Sequence, residues 1–208
     1  MARQVTARYR DRGVRIYVRT KLWMDPIARV IHDEHAREGF GHVLDVGCGR
    51  AQLPLLLHAA GAADSVVGID WDEEKIAIAA AAAEGLPDVR FALGDVGEAS
   101  LPEVDTVFLV DILHYLTPEE QDDLLARAAK AARRRVFVRD LDPDAGASSV
   151  VTRSWEWVTT SLGWNRGARI RPRPFDEIAR PLAALGFDVE RAPCGARGLS
   201  NTLLVARR

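Results

Sequence analysis

The chain has 208 residues, of which 48% are hydrophobic and 28% are charged, and its formal net charge is −2 at pH 7. This length fits one domain with a substantial core, and the composition excludes a disordered or collagen-like chain. The apolar stretches are too short to cross a membrane, and the first residues lack the apolar segment of a secretory signal. Cys48 and Cys194 form no metal-ligand spacing, so we expect reduced thiols, no metal and a cytoplasmic location.

The first 37 residues combine positive charge with a helical pattern. Residues 1–21 carry seven Arg or Lys and one Asp, and Asp25-Pro26 offers a helix start followed by apolar residues at helical spacing. A second cluster, residues 166–173, has four Arg and no acid. Such clusters are either solvated faces or patches that attract anions. We expect residues 1–37 to form a helical cap over the carboxyl ends of the strands that follow.

Five short β-branched runs, each ending at a Gly or an Asp, alternate with segments of helical length. The predicted strands are 43–46, 66–69, 89–93, 105–110 and 135–139, and the predicted helices are 50–61, 72–84 and 117–132. This alternation predicts βαβ units with right-handed crossovers and a parallel sheet.

The remaining chain predicts one more helix and two strands. The helix begins at Pro174 and ends at Gly186, and strands 187–190 and 202–205 have no helix between them, so they should pair antiparallel. We therefore predict an α/β, Rossmann-like seven-stranded sheet with five parallel strands, a C-terminal antiparallel hairpin and helices on both faces. Residues 1–208 should form a single domain, with 141–173 as an insertion on the same side as the cap.

The most specific motif is the glycine-rich turn after the first predicted strand, Asp45-Val46-Gly47-Cys48-Gly49. Its glycines let the backbone approach a ligand, and the turn should present free N–H groups at the start of a helix. Gln52 stands where a dinucleotide site would have a third Gly, and no phosphate-loop Lys follows. Asp45 would also repel a pyrophosphate, so the motif favours a ligand with a cationic group.

Acids recur at the same edge of the predicted sheet. Asp45, Asp70, Asp95, Asp111 and Asp140 all fall at or near strand ends. One such Asp is commonly a helix cap or a turn residue. Five on the edge where open parallel sheets bind ligands indicate a site.

Together these residues resemble the class I S-adenosylmethionine-dependent methyltransferases, over most of the chain. The resemblance implies S-adenosylmethionine as the cofactor, with Asp45 at its amino-acid end and Gly47, Cys48 and Gly49 passing close to it.

The resemblance also assigns the nucleoside end of the cofactor. It implies that Asp70, in Val67-Gly68-Ile69-Asp70, binds both ribose hydroxyls. Trp71 would pack on the adenine, or else serve as a hydrophobic anchor. Asp95 would accept from the adenine amino group, with the Val96 N–H beside it.

After the fourth predicted strand the sequence reads Asp111-Ile112-Leu113-His114 and lacks the Pro-Pro-aromatic motif of base-methylating members. It resembles the small-molecule members instead. Asp111, also a candidate cofactor contact, or His114 could face the acceptor. An unperturbed histidine can act as a base near neutral pH, so His114 is a candidate general base, or a packed loop residue.

We therefore expect a methyltransferase that acts on a small molecule, either free or tethered to an acidic carrier. The alternatives are an RNA- or protein-modifying methyltransferase of the same fold and a catalytically inactive cofactor-binding subunit. The net charge disfavours a nucleic-acid partner. We expect no membrane partner, and the sequence leaves the oligomeric state open.

Overall fold

The computed structural model describes residues 1–144, 170–194 and 201–208. The helices are α1 (Ala2–Ala7), α2 (Arg12–Met24), α3 (Ile27–Arg37), α4 (Gln52–Ala59), α5 (Glu73–Ala82), α6 (Pro118–Ala131) and α7 (Phe175–Ala184), with a 3₁₀ turn at Leu113–Tyr115. The strands are β1 (His42–Val46), β2 (Ser65–Asp70), β3 (Val89–Leu93), β4 (Val104–Val110), β5 (Ala132–Leu141), β6 (Asp188–Pro193) and β7 (Asn201–Arg207). None of the helices in these ranges has the length and hydropathy of a membrane-spanning segment.

The strands form one sheet in the order β3-β2-β1-β4-β5-β7-β6. Strands β1 to β5 are mutually parallel, and β7 runs antiparallel between β5 and β6. The predicted fold class is confirmed, including the C-terminal hairpin. The chain order reverses at β1, with β2 on one side and β4 on the other, and this is the point where open sheets of this kind bind ligands.

Two apolar layers cover the two faces of the sheet, because successive strand residues point to opposite sides. Phe108 and Phe137 stack with ring centroids 4.7 Å apart on the face covered by α1 to α5. Val107 and Val136, one position away, join the core beneath α6 and α7.

Residues 1–37 form the predicted helices, and these pack onto the core through buried side chains such as Val5, Val18 and Ile31. Asp11 caps α2 by accepting from the Val14 N–H at 2.8 Å. The Tyr9 hydroxyl donates to the carbonyl of Arg50, just after the glycine-rich turn, at 2.6 Å.

Some boundaries differ from the predicted ones. Helix α4 begins at Gln52, because Gly49 (φ 54°) and Ala51 (φ 68°) both adopt left-handed backbone conformations that delay the helix. Helix α6 begins at Pro118 and strand β5 begins at Ala132, directly after α6 ends, so the predicted helix at 117–132 is one residue too long at each end. Most of the predicted insertion, residues 145–169, and the loop residues 195–200 lie outside the described residues.

Candidate functional site

The glycine-rich turn lies between β1 and α4, and its N–H groups bond within the protein. The Gly47 and Cys48 N–H groups both donate to the Ile69 carbonyl, at 2.7 and 3.1 Å, and the Gly49 N–H donates to Asp70 Oδ2 at 2.8 Å. The expectation that this turn presents free N–H groups is therefore wrong for these three residues. A turn without these donors is a poor phosphate site, since anion binding at such turns depends on them.

Glycine is required at position 47 for two reasons. Gly47 has a φ of 77°, and a Cβ there would collide with the Ile112 side chain. Beneath the turn, the Cys48 thiol is buried and would lie 2.7 Å from a Cβ at Gly68. Burial, with the nearby charges of Asp45 and Asp70, raises the pKa of Cys48, so its side chain packs as a neutral thiol.

Asp45, on β1 just before this turn, is only 3% exposed. Within the described residues, no hydrogen bond or ion pair engages its side-chain carboxylate, although buried carboxylates normally have a partner. Burial raises the pKa of Asp45 well above its ordinary value, and repulsion from Asp70 adds to this. The site therefore contains a buried acid whose charged form has no cation partner among the described residues.

Asp70, the last residue of β2, accepts from the N–H groups of Gly49 at 2.8 Å and Asp72 at 3.0 Å. Each bond uses a different carboxylate oxygen, so each oxygen keeps capacity for a further hydroxyl donor. Beside it Trp71 is 60% exposed, and Leu93, the register partner of Asp70 at the end of β3, is 56% exposed. Two large apolar side chains exposed at neighbouring strand ends mark a surface that an aromatic ring could cover.

Asp95 and Val96 lie in the turn after β3. Asp95 Oδ1 accepts from the Gly97 N–H at 2.8 Å, and the Val96 side chain is buried in the core. This turn brings the Asp95 carboxylate to the same edge of the sheet as Asp70, because β3 is the parallel neighbour of β2.

Asp111 follows β4 with a φ of 56°, a conformation unusual for a residue other than glycine. Arg139 of β5 bonds both its carboxylate oxygens, Lys21 of α2 contacts it at 3.3 Å, and Asn201 of β7 donates to it at 3.2 Å. Arg139 also pairs with Asp25 at the end of α2. This ionic cluster joins the N-terminal helices to the carboxyl ends of β4 and β5.

Charge in the ionic cluster is balanced, with two cations facing two carboxylates. Burial alone would raise the pKa of Asp111, but Arg139 and Lys21 outweigh it and hold that pKa well below its usual range. Asp111 therefore stays ionised and is too weak a base to take a proton near neutral pH. Its carboxylate instead provides fixed negative charge and anchors the second helix through Lys21.

His114, in the 3₁₀ turn, is 2% exposed and lies against Asp140 of β5. Its Nδ1 is 2.5 Å from Asp140 Oδ1, and its backbone N–H donates to Oδ2 of the same carboxylate at 3.2 Å. A carboxylate accepts hydrogen bonds, so Nδ1 carries the proton and Nε2 is the basic nitrogen. This is the arrangement in which a carboxylate orients a histidine that acts as a base.

The structure thus places the predicted residues in two groups along one edge of the sheet. Those at the ends of β1 to β3 are the glycine-rich turn, Asp45, Asp70, Trp71, Asp95 and Val96, and those beyond β4 are Asp111 and His114. Sequence reasoning missed Arg139 as a partner of the site. The available signal was an arginine at the carboxyl end of an apolar predicted strand, directly before Asp140. Within the described part of the chain, no three His, Cys, Asp or Glu side chains lie close enough to hold a metal ion.

Comparison with known proteins finds a family model that matches part of the chain. Residues 43–135, from β1 to the first part of β5, match the model of a family described as a methyltransferase domain. No curated protein matches the chain significantly in sequence.

Solved structures share the fold at low sequence identity. Magnesium protoporphyrin IX methyltransferase from Synechocystis PCC 6803, solved with bound SAH, is 22% identical with a TM-score of 0.68 over 96% of this chain and 88% of that chain. An O-methyltransferase family protein from Burkholderia thailandensis is 19% identical with a TM-score of 0.69 over 92% of this chain and 57% of that one. An S-adenosylmethionine-dependent methyltransferase from Mesorhizobium loti is 19% identical with a TM-score of 0.66, over 88% and 96%.

Proposed function

We propose that this chain is a class I S-adenosylmethionine-dependent methyltransferase that methylates a small-molecule acceptor, and the fold and the family match of residues 43–135 support this proposal. The acceptor is either free or tethered to a carrier. The cofactor supplies the activated methyl group, and the protein supplies position and electrostatics. Holding donor and acceptor in line accounts for about 7–11 kcal/mol of barrier lowering in favourable cases.

The buried Asp45 carboxylate carries this proposal. It has no cationic partner among the described residues, and its raised pKa records the cost of ionising it there. The amino-acid end of S-adenosylmethionine brings an ammonium group, and its sulfonium brings a second positive charge. A ligand of this kind supplies what Asp45 lacks, whereas the phosphates of NAD or ATP would meet repulsion from Asp45 and Asp70.

The remaining residues at this end fit the nucleoside. The unused hydrogen-bonding capacity of Asp70 suits the two ribose hydroxyls, as charge-assisted bonds. Trp71 and Leu93 supply the exposed apolar surface for the adenine. The Asp95 carboxylate and the Val96 N–H form hydrogen bonds with the polar edge of the adenine.

On the acceptor side, His114 serves as the general base through Nε2, with Asp140 holding its orientation. The low pKa of Asp111 leaves it the electrostatic role described above. A base of this kind contributes about 10²–10⁴-fold, less than positioning does.

The N-terminal helices form the cap of this acceptor site. Lys21 and Arg139 are matched by carboxylates, and Arg173 pairs with Asp122 and Glu177. Such neutralised cations favour a small acceptor over RNA, whose binding depends on unpaired positive charge. The two buried, unpaired cysteines suit a cytoplasmic location.

Calorimetry and a transfer assay test the proposal together. We expect S-adenosylmethionine and S-adenosylhomocysteine to bind and NAD not to bind. Labelled methyl should appear in small molecules, either free or released from a carrier by hydrolysis, but not in RNA or in protein side chains. Absence of cofactor binding at millimolar concentration would refute the proposal. Binding without transfer to any pool would favour an inactive subunit, and label in RNA or in protein side chains would favour a macromolecular acceptor.

A further inference from the structure

Arg127, on α6, joins three carbonyl oxygens of a single turn. Its Nη1 donates to the Ala99 carbonyl at 2.9 Å, and its Nη2 donates to the carbonyls of Val96 at 2.7 Å and Gly97 at 3.0 Å. Its Nε donates to Asp123, one helical turn earlier, at 2.7 Å. Four bonds from one planar group fix the guanidinium and the turn relative to α6.

This turn is the one that follows β3 and contains both candidate adenine contacts. Asp95 begins it: its carbonyl accepts from the Ala99 N–H at 2.7 Å, and its side chain accepts from the Gly97 N–H at 2.8 Å. A single turn of this kind leaves its later carbonyls without partners of their own. Arg127 supplies those partners from a neighbouring helix.

Burial contributes little to holding the turn in place. Among residues 94–100, Val96 has the single buried side chain, while Asp95 is exposed. The position of the Asp95 carboxylate and the Val96 N–H therefore depends on the backbone that Arg127 clamps.

We propose that Arg127 is a positioning residue for adenine recognition, an inference that rests on the proposed function. It fixes the backbone that carries the Asp95 carboxylate and the Val96 N–H, and it does so from the carbonyl side of the turn. A guanidinium donates in several directions at once, whereas a lysine ammonium on a flexible chain cannot reach all three carbonyls and Asp123 in the same geometry.

Two ligand probes separate this role from a general contribution to folding. S-adenosylhomocysteine has the adenine amino group, and S-inosylhomocysteine has a carbonyl in its place. The ratio of their dissociation constants measures how well the turn distinguishes the amino group from the carbonyl. A change that weakens the binding of both probes equally leaves this ratio unaltered. The variants are Arg127→Met and Arg127→Lys. The control is Arg133→Met, the same change at an exposed arginine of β5 that makes one ion pair with Glu103.

We expect wild-type protein and the control to prefer the adenosyl probe by about tenfold or more, the scale of one hydrogen bond to a charged group. Arg127→Met should bind that probe about tenfold more weakly and lose most of the preference, since one such bond is lost. Arg127→Lys should retain part of both, because one ammonium can still reach one carbonyl.

If the folded Arg127 variants prefer S-adenosylhomocysteine over S-inosylhomocysteine as strongly as wild-type protein does, Arg127 has no positioning role. The proposed function would stay intact. Equal binding of both probes by wild-type protein would also overturn the positioning role. If circular dichroism shows that Arg127→Met does not fold, the preference of Arg127→Lys decides. Failure of wild-type protein to bind S-adenosylhomocysteine would refute the proposed function, and this inference with it.

Discussion

Replacing Asp45 by Asn should change stability in opposite directions in the free and the liganded protein. The two side chains have nearly the same size, so the change mainly removes a titratable charge. In the free protein that charge is buried beside Asp70, without a cation among the described residues. In the complex it would face the ammonium group of the cofactor.

The sign for the free protein follows from the raised pKa of Asp45. An unfolded Asp titrates at about 3.9. Above that pH the unfolded chain has released a proton that the folded protein still holds. Stability therefore falls as pH rises towards the folded-state pKa, by up to about 1.4 kcal/mol per pH unit. Asp45→Asn does not titrate, so it should be more stable than wild-type protein at pH 7, and this advantage should vanish near pH 4.

In the complex, the carboxylate forms charge-assisted hydrogen bonds that Asn cannot reproduce. Their loss should cost about 1.5–3 kcal/mol of binding free energy, which raises the dissociation constant for S-adenosylhomocysteine by roughly 10- to 150-fold. Urea unfolding from pH 4.5 to 8, with and without this ligand, and calorimetry measure the two effects. Asp88→Asn, at an exposed residue before β3, is the matched control.

One result would refute this reasoning. If free Asp45→Asn were less stable than wild-type protein at neutral pH and bound the ligand with wild-type affinity, Asp45 would stabilise the fold and would not bind the ammonium group of a ligand.

Four further substitutions test the rest of the site. Asp70→Ala should weaken the binding of S-adenosylmethionine and of S-adenosylhomocysteine equally, by about 1.5–3 kcal/mol in calorimetry, because the bonds are to the ribose that both share. An unchanged affinity would show that Asp70 only bonds the backbone around it and does not bind the ribose. Trp71→Ala should abolish the fluorescence change on ligand addition without altering the circular dichroism spectrum, and a surviving signal would place the stacking elsewhere. His114→Asn should lower kcat by about 10²–10⁴-fold while the dissociation constant for S-adenosylhomocysteine stays the same, since the base acts in the transfer step; an unchanged kcat would contradict that role. Arg139→Met should lower the free energy of unfolding by about 3–5 kcal/mol in urea, because two mostly buried carboxylates lose their shared cation, and a loss below about 1 kcal/mol would show that the cluster adds little.

The sheet could be predicted from sequence because its signals are local. Each strand is a short β-branched run, and each connection to the next parallel strand has a helix-length pattern or a turn residue that needs no distant partner. Thr117-Pro118-Glu119-Glu120 predicts the start of α6, and the structure contains the full capping box there. The left-handed Ala51 carries no such signal, because alanine is a strong helix former.

The acceptor side was less predictable because its contacts are long-range. Asp25 and Arg139 are 114 positions apart, and Lys21 and Asp111 are 90 apart. Patterns within a short window cannot pair such residues. The same holds for the glycine-rich turn: its spacing predicts close approach to a ligand, but only the neighbouring strand β2 reveals that its N–H groups are already used.

Strand β7 is the last element of the chain, yet it lies between β5 and β6. During synthesis, β5 therefore keeps an open edge until residues 201–207 have emerged, and β6 has no neighbour to pair with. The middle of β5, Val136 to Val138, is wholly buried in the complete fold, so the edge of β5 that is unpaired before β7 forms is strongly apolar. Exposed apolar edges of this kind recruit other chains. Loss of the last eight residues would thus remove two strands from the sheet and leave a chain prone to aggregate, although every candidate site residue would still be present.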